Sequence, residues 1–226
     1  VQTLQTLLLD RLHATGWHER YPILVGVWDR DVISSTTVQL CIPHAQDGPA
    51  VAKGVFEQTD LGTEAAFVGA VRCGLPRSLQ DRLIANAVRI GGVLQALGYY
   101  GKCSLDAVIC AGGAIHWIEA NARWSGVSIP LQVLHDIAPD HTFDGVVVVQ
   151  QRIGAHQITT SAAVQVLDPL LYRCRAGQVS LQGVVLMSPP ASQQGFVANL
   201  LIFAPSQRDA DQIGQDALDR LSRAAN

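Results

Sequence analysis

The sequence predicts an α+β fold, mainly an antiparallel sheet with flanking helices, followed by a smaller antiparallel β/α tail. Two observations support this class. Apolar residues recur at helical spacing near the start of the chain, in its middle and near its end, and short alternating runs bounded by Gly and Pro separate these segments. The length of 226 residues fits one large domain or two small ones, and the hydrophobic fraction of 48% is enough to build a core.

The first part of the chain predicts a helix, a group of strands and a second helix. The first helix covers Leu4–His13, and Gly16 follows it as a stop signal. The predicted strands are Tyr21–Trp28, Ser34–Ile42, Ala50–Gln58 and Ala65–Val71. Apolar spacing over Ser78–Leu97 predicts the second helix, with Ser78 as its N-cap and Gly98 in a left-handed conformation beyond its end. The pair Gly91-Gly92 inside this helix predicts close packing there.

A hairpin and a β-rich tail follow. Gly101–Cys110 and Ile115–Ala120 flank a tight Ala-Gly-Gly turn, which is typical of a β-hairpin, and Ile129–Leu134 suits a short helix. Four further strands are predicted in the tail, at Gly145–Ile153, Ile158–Val166, Val179–Met187 and Phe196–Phe203. A final helix runs over Ser206–Leu221, with Ser206 as N-cap and Asp209 in its first turn. A boundary near 136–140 gives two predicted domains, 1–135 and 136–226.

The composition excludes several classes of function. Sixteen basic residues against 19 acidic ones, without a basic stripe, argue against a nucleic-acid partner. No apolar run approaches the roughly 18 residues of a membrane span, so no membrane partner is predicted. The five cysteines form no CxxC pair and lie mostly in apolar runs, which predicts buried thiols in a cytoplasmic protein. The sequence leaves the oligomeric state open, a homo-oligomer included.

The predicted hairpin carries an unusual polar group. Asp106 lies on its first strand, and Glu119 and Asn121 lie two residues apart on its second strand. Pairing around the turn brings these three side chains together on one face, with Arg123 continuing the alternation. Two carboxylates and an amide oxygen are hard ligands that suit Mg²⁺, and an arginine beside them suits a phosphate. Alternatively, the acids are solvated residues on an open sheet face and Arg123 only neutralises Glu119.

The residues of this hairpin resemble the metal-binding end of the ATP-grasp superfamily. That family has a strand Asp after a Gly-rich segment, then Glu-x-Asn-x-Arg-x-x-Gly after a hairpin. The segment Gly98–Asp106 and the segment Ala114–Gly126 match both the residue types and the spacing. Upstream, 21–28 and 34–40 are similar to the adenine-side hinge and the strand after it. In the tail, 183–187 and 195–203 resemble the C-terminal extension of pheganomycin-type peptide ligases.

The resemblance implies an enzyme, an ATP-dependent carboxylate–amine ligase that works through an acyl phosphate. Its substrates would be a small-molecule carboxylate and an amine, such as an amino acid or peptide, and its cofactors ATP and Mg²⁺. The matched metal ligands are Asp106, Glu119 and Asn121, and the matched catalytic residue is Arg123. The hinge residues Val25, Val27 and Trp28 would hold the nucleotide, although Gly26 stands where the family often has an acid.

The resemblance also leaves alternatives. The family's earlier half, with its phosphate-binding lysines and glycine-rich loop, has no match, so the chain is expected to start inside the catalytic domain and to be weakly active or inactive alone. Neither Lys53 nor Lys102 matches those lysines, and both are expected to be solvated. A non-catalytic ATP-grasp-like remnant that binds a nucleotide or a partner is the second hypothesis. A structural interaction domain is the third. Trp124, next to Arg123, is the tryptophan best placed to line a substrate pocket.

Overall fold

A computed structural model of the protein describes residues 2–17, 26, 28–60, 67–154, 156–173, 180–189 and 196–225. The chain divides into two compact units, residues 1–30 and residues 31–226. The first unit contains helix α1, Gln2–Ala14, which confirms the predicted N-terminal helix. Most of the predicted strand at 21–28, with Val25 and Val27, lies outside the described residues. Within the described helices, none is long and apolar enough to cross a bilayer.

The second unit is built on one eight-stranded sheet, and its paired strands are antiparallel. The strand order is β5-β4-β1-β2-β3-β6-β8-β7. The strands are β1 Val32–Ile42, β2 Val51–Asp60, β3 Phe67–Arg72, β4 Gly101–Cys110, β5 Ile115–Asn121, β6 Gly145–Gly154, β7 Gly183–Leu186 and β8 Phe196–Ala204. The helices are α2 Arg77–Ala96, α3 Ser128–Ile137, α4 Thr160–Leu167 and α5 Gln207–Ala225. The predicted α+β class with a mainly antiparallel sheet is confirmed.

Helix α2 covers one face of the sheet over β1, β2 and β4. Its buried residues Leu83 and Ala87 pack with alternate residues of the strands, such as Leu40 and Leu105. Gly91 is required here, because a Cβ atom at this position would lie 2.9 Å from the Cβ of Ala50. The neighbouring Gly92 meets nothing within 4 Å, so the predicted close packing holds for one glycine of the pair. Gly98 ends the segment at φ +94°, as predicted.

Helices α4 and α5 pack with the second half of the sheet in a separate core cluster. Small residues of α5 let the helix approach closely, because Ala210, Ala217 and Ala225 are fully buried beside β-strand residues such as Leu200 and Ile202. The predicted cap is confirmed, since the Asp209 backbone N–H donates to Ser206 Oγ at 3.2 Å.

The opposite face carries a third apolar cluster and an open polar area. Leu134 of α3 belongs to the cluster that includes Phe56, Val146 and Phe203, which lie on β2, β6 and β8. Towards β1, β4 and β5, the same face presents Thr37, Ser104, Asp106 and Glu119 instead of apolar side chains. The alternation of the strands therefore places core residues on the α2 side and polar residues on this side.

The predicted strand at Ile158–Val166 is wrong, because this segment forms helix α4. Thr159 caps the helix by accepting a hydrogen bond from the Ala162 N–H at 3.1 Å. The buried residues Ala163 and Leu167 are four apart, which is helical spacing, although the apolar residues of the segment also alternate. A smaller correction concerns α2, whose N-cap is Pro76 without a side-chain cap, and not Ser78.

The division into domains 1–135 and 136–226 remains a prediction. Its boundary falls within the last turn of α3, and the strand that follows, β6, joins β3 in the same sheet. This junction has three residue pairs, Gly69–Val149, Ala70–Val148 and Val71–Val147.

Candidate functional site

The hairpin of β4 and β5 brings the predicted metal ligands together. Asp106 is paired directly with Glu119, and Ser104 with Asn121. The side-chain amide of Asn121 reaches diagonally across the strands, and its Nδ2 donates to Asp106 Oδ2 at 3.2 Å. The convergence expected from the sequence spacing is therefore present, and Asn121 Oδ1 remains as the oxygen that a cation could use.

An extra residue in β5 makes this convergence possible. Ala107 pairs with Trp117 and Asp106 pairs with Glu119, so Ile118 has no counterpart on β4. Without such a bulge, Trp117 and Glu119 would share a face, because they are two residues apart. The bulge lets Trp117 pack against the core beneath α2 while Glu119 and Asn121 face the polar side.

A cavity of about 350 Å³ lies on this face. All four residues predicted from the hairpin line it: Asp106, Glu119, Asn121 and Arg123. Its other lining residues come from β1, β2, β4, β6 and the segment before α3, and they are mostly uncharged and polar: Thr37, Gln39, Gln58, Ser104, Ser125, Gly126, Val127 and Gln150. The cavity thus combines an acidic corner, one arginine and a wall of hydroxyl and amide groups.

A buried hydrogen-bond chain connects the acidic corner to the start of α3. The Ser125 hydroxyl donates to Gln39 Oε1 at 3.2 Å, and Gln39 Nε2 donates to Thr37 Oγ1 at 3.0 Å. Thr37 in turn hydrogen-bonds to Asp106. Gln39 and Thr37 are buried, so their polar atoms need these partners. Ser125 and Ser128 also bond reciprocally through N–H and hydroxyl groups, which fixes the turn that carries Arg123.

The electrostatics of the acidic corner favour a bound cation. Burial and, to a lesser degree, the charge of Glu119 raise the pKa of Asp106, while hydrogen bonds with Thr37 and Gln58 lower it in part. A cation between the two carboxylates removes both the repulsion and the desolvation cost. Two carboxylates and an amide oxygen with room for further oxygen ligands are a donor set that fits Mg²⁺. The residues present therefore suit the metal that the sequence resemblance implies.

We expect Asp106→Asn to make the metal-free protein more stable at neutral pH. The folded state raises the pKa of Asp106 above its ordinary value of 3.8, so stability falls as pH rises through the window between the unfolded and folded pKa values. Asparagine removes this dependence, and we expect a gain in the free energy of unfolding near pH 7 that disappears near pH 3. Urea unfolding with a chelator present measures it.

The matched control for this experiment is Asp81→Asn on α2, which removes an exposed ion pair with Arg77. Its effect on the free energy of unfolding should stay within about 0.5 kcal/mol. If Asp106→Asn instead destabilised the protein at neutral pH, the inference that the charged Asp106 carboxylate destabilises the metal-free fold would be wrong.

Beyond the acidic corner, the residues around Trp124 carry positive charge. Arg123 Nη1 donates to the Trp124 carbonyl at 3.2 Å, and Lys102 Nζ lies 5.5 Å from the centre of the Trp124 ring. Lys102 Nζ also donates to Gln132 Oε1 of α3 at 3.1 Å. The expectation that Lys102 is only solvated is therefore wrong, because its ammonium is held by two neighbours.

The described residues do not show a nucleotide site formed by the predicted hinge residues. Val25 and Val27 lie outside the described residues, and Trp28 belongs to the first unit with 85% of its surface exposed. Their role stays a prediction. Arg72 at the end of β3 places its guanidinium carbon 5.4 Å from the centre of the Phe56 ring.

Sequence reasoning missed the neutral wall of the cavity. Thr37, Gln39 and Gln58 lie on strands far from the hairpin along the chain, so no local spacing connects them to Asp106. The available signal was weak: Ser35, Thr37 and Gln39 are polar at every second position of β1, but the neighbouring Ser34 and Thr36 are polar as well.

The described cysteines form no disulfide with one another: Cys41, Cys73, Cys103 and Cys110. Burial raises the pKa of Cys73 to about 11, which leaves this thiol protonated and unreactive at neutral pH.

Three solved structures illustrate what the fold resembles. N5-carboxyaminoimidazole synthase from Aspergillus clavatus, in complex with ADP and 5-aminoimidazole ribonucleotide, superposes with a TM-score of 0.63 at 10% identity, over 95% of this chain and 57% of that one. The Thermus thermophilus N5-carboxyaminoimidazole ribonucleotide synthetase superposes with a TM-score of 0.57 at 15% identity, over 95% of this chain and 56% of that one. Biotin carboxylase from Campylobacter jejuni, in an ATP complex, superposes with a TM-score of 0.56 at 15% identity, over 85% of this chain and 46% of that one.

The comparisons support the fold and do not extend to sequence families. No protein-family model matches the chain, and no curated protein matches it significantly. The chain spans about half the length of the structures it resembles. At these identities the likeness concerns the backbone arrangement, and it covers both the hairpin and the tail. The chain therefore shares its fold with about half of each of these enzymes, as expected from the resemblance of its hairpin.

Proposed function

We propose that this chain carries the metal-bearing part of an ATP-dependent carboxylate–amine ligase. The observation that carries the proposal is the direct pairing of Asp106 with Glu119, with Asn121 beside them, at one corner of a polar cavity. The matched structures include enzymes in complex with ATP or ADP, which supports a nucleotide as one ligand of this fold.

In this proposal, a substrate carboxylate attacks the γ-phosphorus of ATP, the bond to ADP breaks, and an acyl phosphate forms. The amine then attacks the acyl carbon, phosphate leaves, and the nitrogen loses a proton as the amide forms. Mg²⁺ bound at the acidic corner would neutralise charge on the phosphates. Asp106, Glu119 and Asn121 supply its protein oxygens.

Arg123 has a different part in the same mechanism. Its guanidinium is exposed and lines the cavity, and among the described residues it forms one hydrogen bond, to the Trp124 carbonyl. Positive charge held beside the position where the acyl phosphate forms stabilises the negative charge that develops there. The hydrogen bonds from Ser125 through Gln39 to Thr37 connect the segment just after Arg123 to the strand beside the metal ligands.

The nature of the amine is a separate part of the proposal. Amino-acid or peptide substrates rest on the resemblance of the tail segments to peptide ligases. The wall of amide and hydroxyl groups in the cavity suits hydrogen-bonding substrates of this kind.

The test is ADP release by the full-length protein. We expect release to require Mg²⁺, a carboxylic acid and an amine together. Hydroxylamine offered in place of the amine should trap the activated acid as a hydroxamate, detectable by mass spectrometry. Nucleotide binding without any ADP release across a broad panel of acids and amines would instead favour the non-catalytic alternative, a nucleotide-binding module.

A further inference from the structure

Lys102 lies on the same sheet face as the proposed metal ligands. Lys102, Ser104 and Asp106 alternate along β4, so their side chains point to one side, and Ser104 and Asp106 both line the cavity. Lys102 is thus one step beyond the cavity wall, on the side of the segment that carries Arg123.

The ammonium group of Lys102 is held in place. The Trp124 ring lies 5.5 Å from Nζ, a cation–π arrangement, and Gln132 Oε1 accepts one of its three hydrogens at 3.1 Å. Two donors therefore remain for a ligand. The side-chain amide of Gln132 also donates to Asp136 Oδ1, so this carboxylate bonds to the glutamine and not to Lys102 itself.

Arg123 borders the same tryptophan through its bond to the Trp124 carbonyl. Within the described parts of the chain, neither Lys102 nor Arg123 forms an ion pair with a carboxylate. Arg123 lines the cavity and Lys102 lies just beyond its wall, so the positive charge near Trp124 is separate from the two carboxylates and favours an anionic ligand group there.

Distance determines which anionic group this is. Four residues of extended strand separate the Cα atoms of Lys102 and Asp106, about 13 Å. A group bound at Lys102 is therefore remote from a phosphoryl group held at the acidic corner. The reacting carboxylate must lie next to that phosphoryl group, so the group at Lys102 belongs to another part of the substrate.

We propose that Lys102, supported by Trp124, binds a second anionic group, carboxylate or phosphate, on the acid substrate. Lys102 is then a specificity residue that selects acids with a negative charge at the far end of the molecule. This inference deepens the proposed function and rests on it for the position of the reacting carboxylate.

The first experiment needs no turnover. Lys53 and Lys102 are the only lysines of the chain, so an amine-acylating reagent followed by peptide mass spectrometry reports both. Lys53 is exposed on β2 and serves as the internal control. At equal ionic strength, glutarate should slow the acylation of Lys102 at least about threefold and leave Lys53 unchanged, while its neutral diamide, glutaramide, should protect neither. Phosphate in a parallel arm tells whether the site prefers a phosphate to a carboxylate. Equal protection of both lysines, or of neither, would overturn the proposal.

The second experiment uses Lys102→Met with Lys53→Met as matched control. For an acid with a distal negative group, we expect KM to rise about tenfold in Lys102→Met, with kcat and the KM for ATP unchanged. Lys102→Arg should restore much of the affinity. A raised KM for ATP would mean that the anion belongs to the nucleotide, which contradicts the proposal. If glutarate protects Lys102 but the protein releases no ADP, the anion site is supported and only the proposed ligase function is refuted.

Discussion

Glu119→Gln should lower Mg²⁺-dependent ADP release at least about 100-fold and leave the fold intact. A glutamine keeps the shape of the side chain but removes the charge that faces Asp106 across the hairpin. Loss of one anionic metal ligand removes several kcal/mol of transition-state stabilisation, and each 1.36 kcal/mol is about a factor of ten in rate. ADP release by the full-length protein at saturating ATP measures the effect.

The fold should survive because Glu119 is exposed on the edge strand β5. Exposed substitutions of this kind usually change stability by no more than about 0.5 kcal/mol. Asp81→Asn on α2 is again the control, since it removes an equal charge outside the cavity and should keep full activity. A Glu119→Gln protein with normal turnover, or one whose loss of activity accompanies unfolding, would not support the metal assignment.

Gly69→Ala should destabilise the protein by at least about 3 kcal/mol. A Cβ atom at this position would lie 2.2 Å from the carbonyl oxygen of Val148, a backbone atom that can move only if the strands separate. Gly69 is one of three residues through which β3 pairs with β6, so the strain falls on the short junction between the two halves of the sheet. A clash of this size in a paired strand belongs to the largest effects of single substitutions.

Gly92→Ala is the informative control for this prediction. Gly92 lies in α2 with nothing within 4 Å of the position of a Cβ atom, so alanine should stabilise the helix by up to about 1 kcal/mol. Chemical denaturation of both variants gives the two free energies. If the free energy of unfolding of Gly69→Ala lay within about 1 kcal/mol of that of the parent protein, the β3–β6 junction would have to accommodate the extra methyl group, which contradicts the prediction.

Local patterns predict the hairpin and its acids well, since both strands and their turn lie within about twenty residues of each other. A short turn and strand alternation bring Asp106 near Glu119, but a regular register continued from the Ile109–Ile115 pair would place Asp106 opposite Ile118. The direct pairing with Glu119 needs the bulge at Ile118, which local alternation does not predict. With the bulge, Trp117 packs in the core beneath α2, a contact outside the hairpin, while Glu119 lies on the polar face.

Contacts over long sequence separations account for the rest. The sheet places β1 between β4 and β2, so Thr37 reaches Asp106 from a strand about seventy residues earlier. Ser125 and Gln39 are 86 residues apart. Helix α4 shows a second reason why sequence patterns fail. Its alternating apolar residues are also typical of a strand, and the cap at Thr159 and the burial of Leu167 favour the helix.

The bulge in β5 also affects how readily the outer edge of the sheet could pair with a second chain. β5 is the outer strand of the sheet, and an outer strand with regular unpaired N–H and C=O groups invites a second chain to add to it. Ile118 breaks that regular row and stands 62% exposed beside the charged Glu119. At the opposite edge, β7 has only four residues, Gly183–Leu186. The irregularity that delivers a carboxylate to the cavity thus also makes this edge a poor template for aggregation.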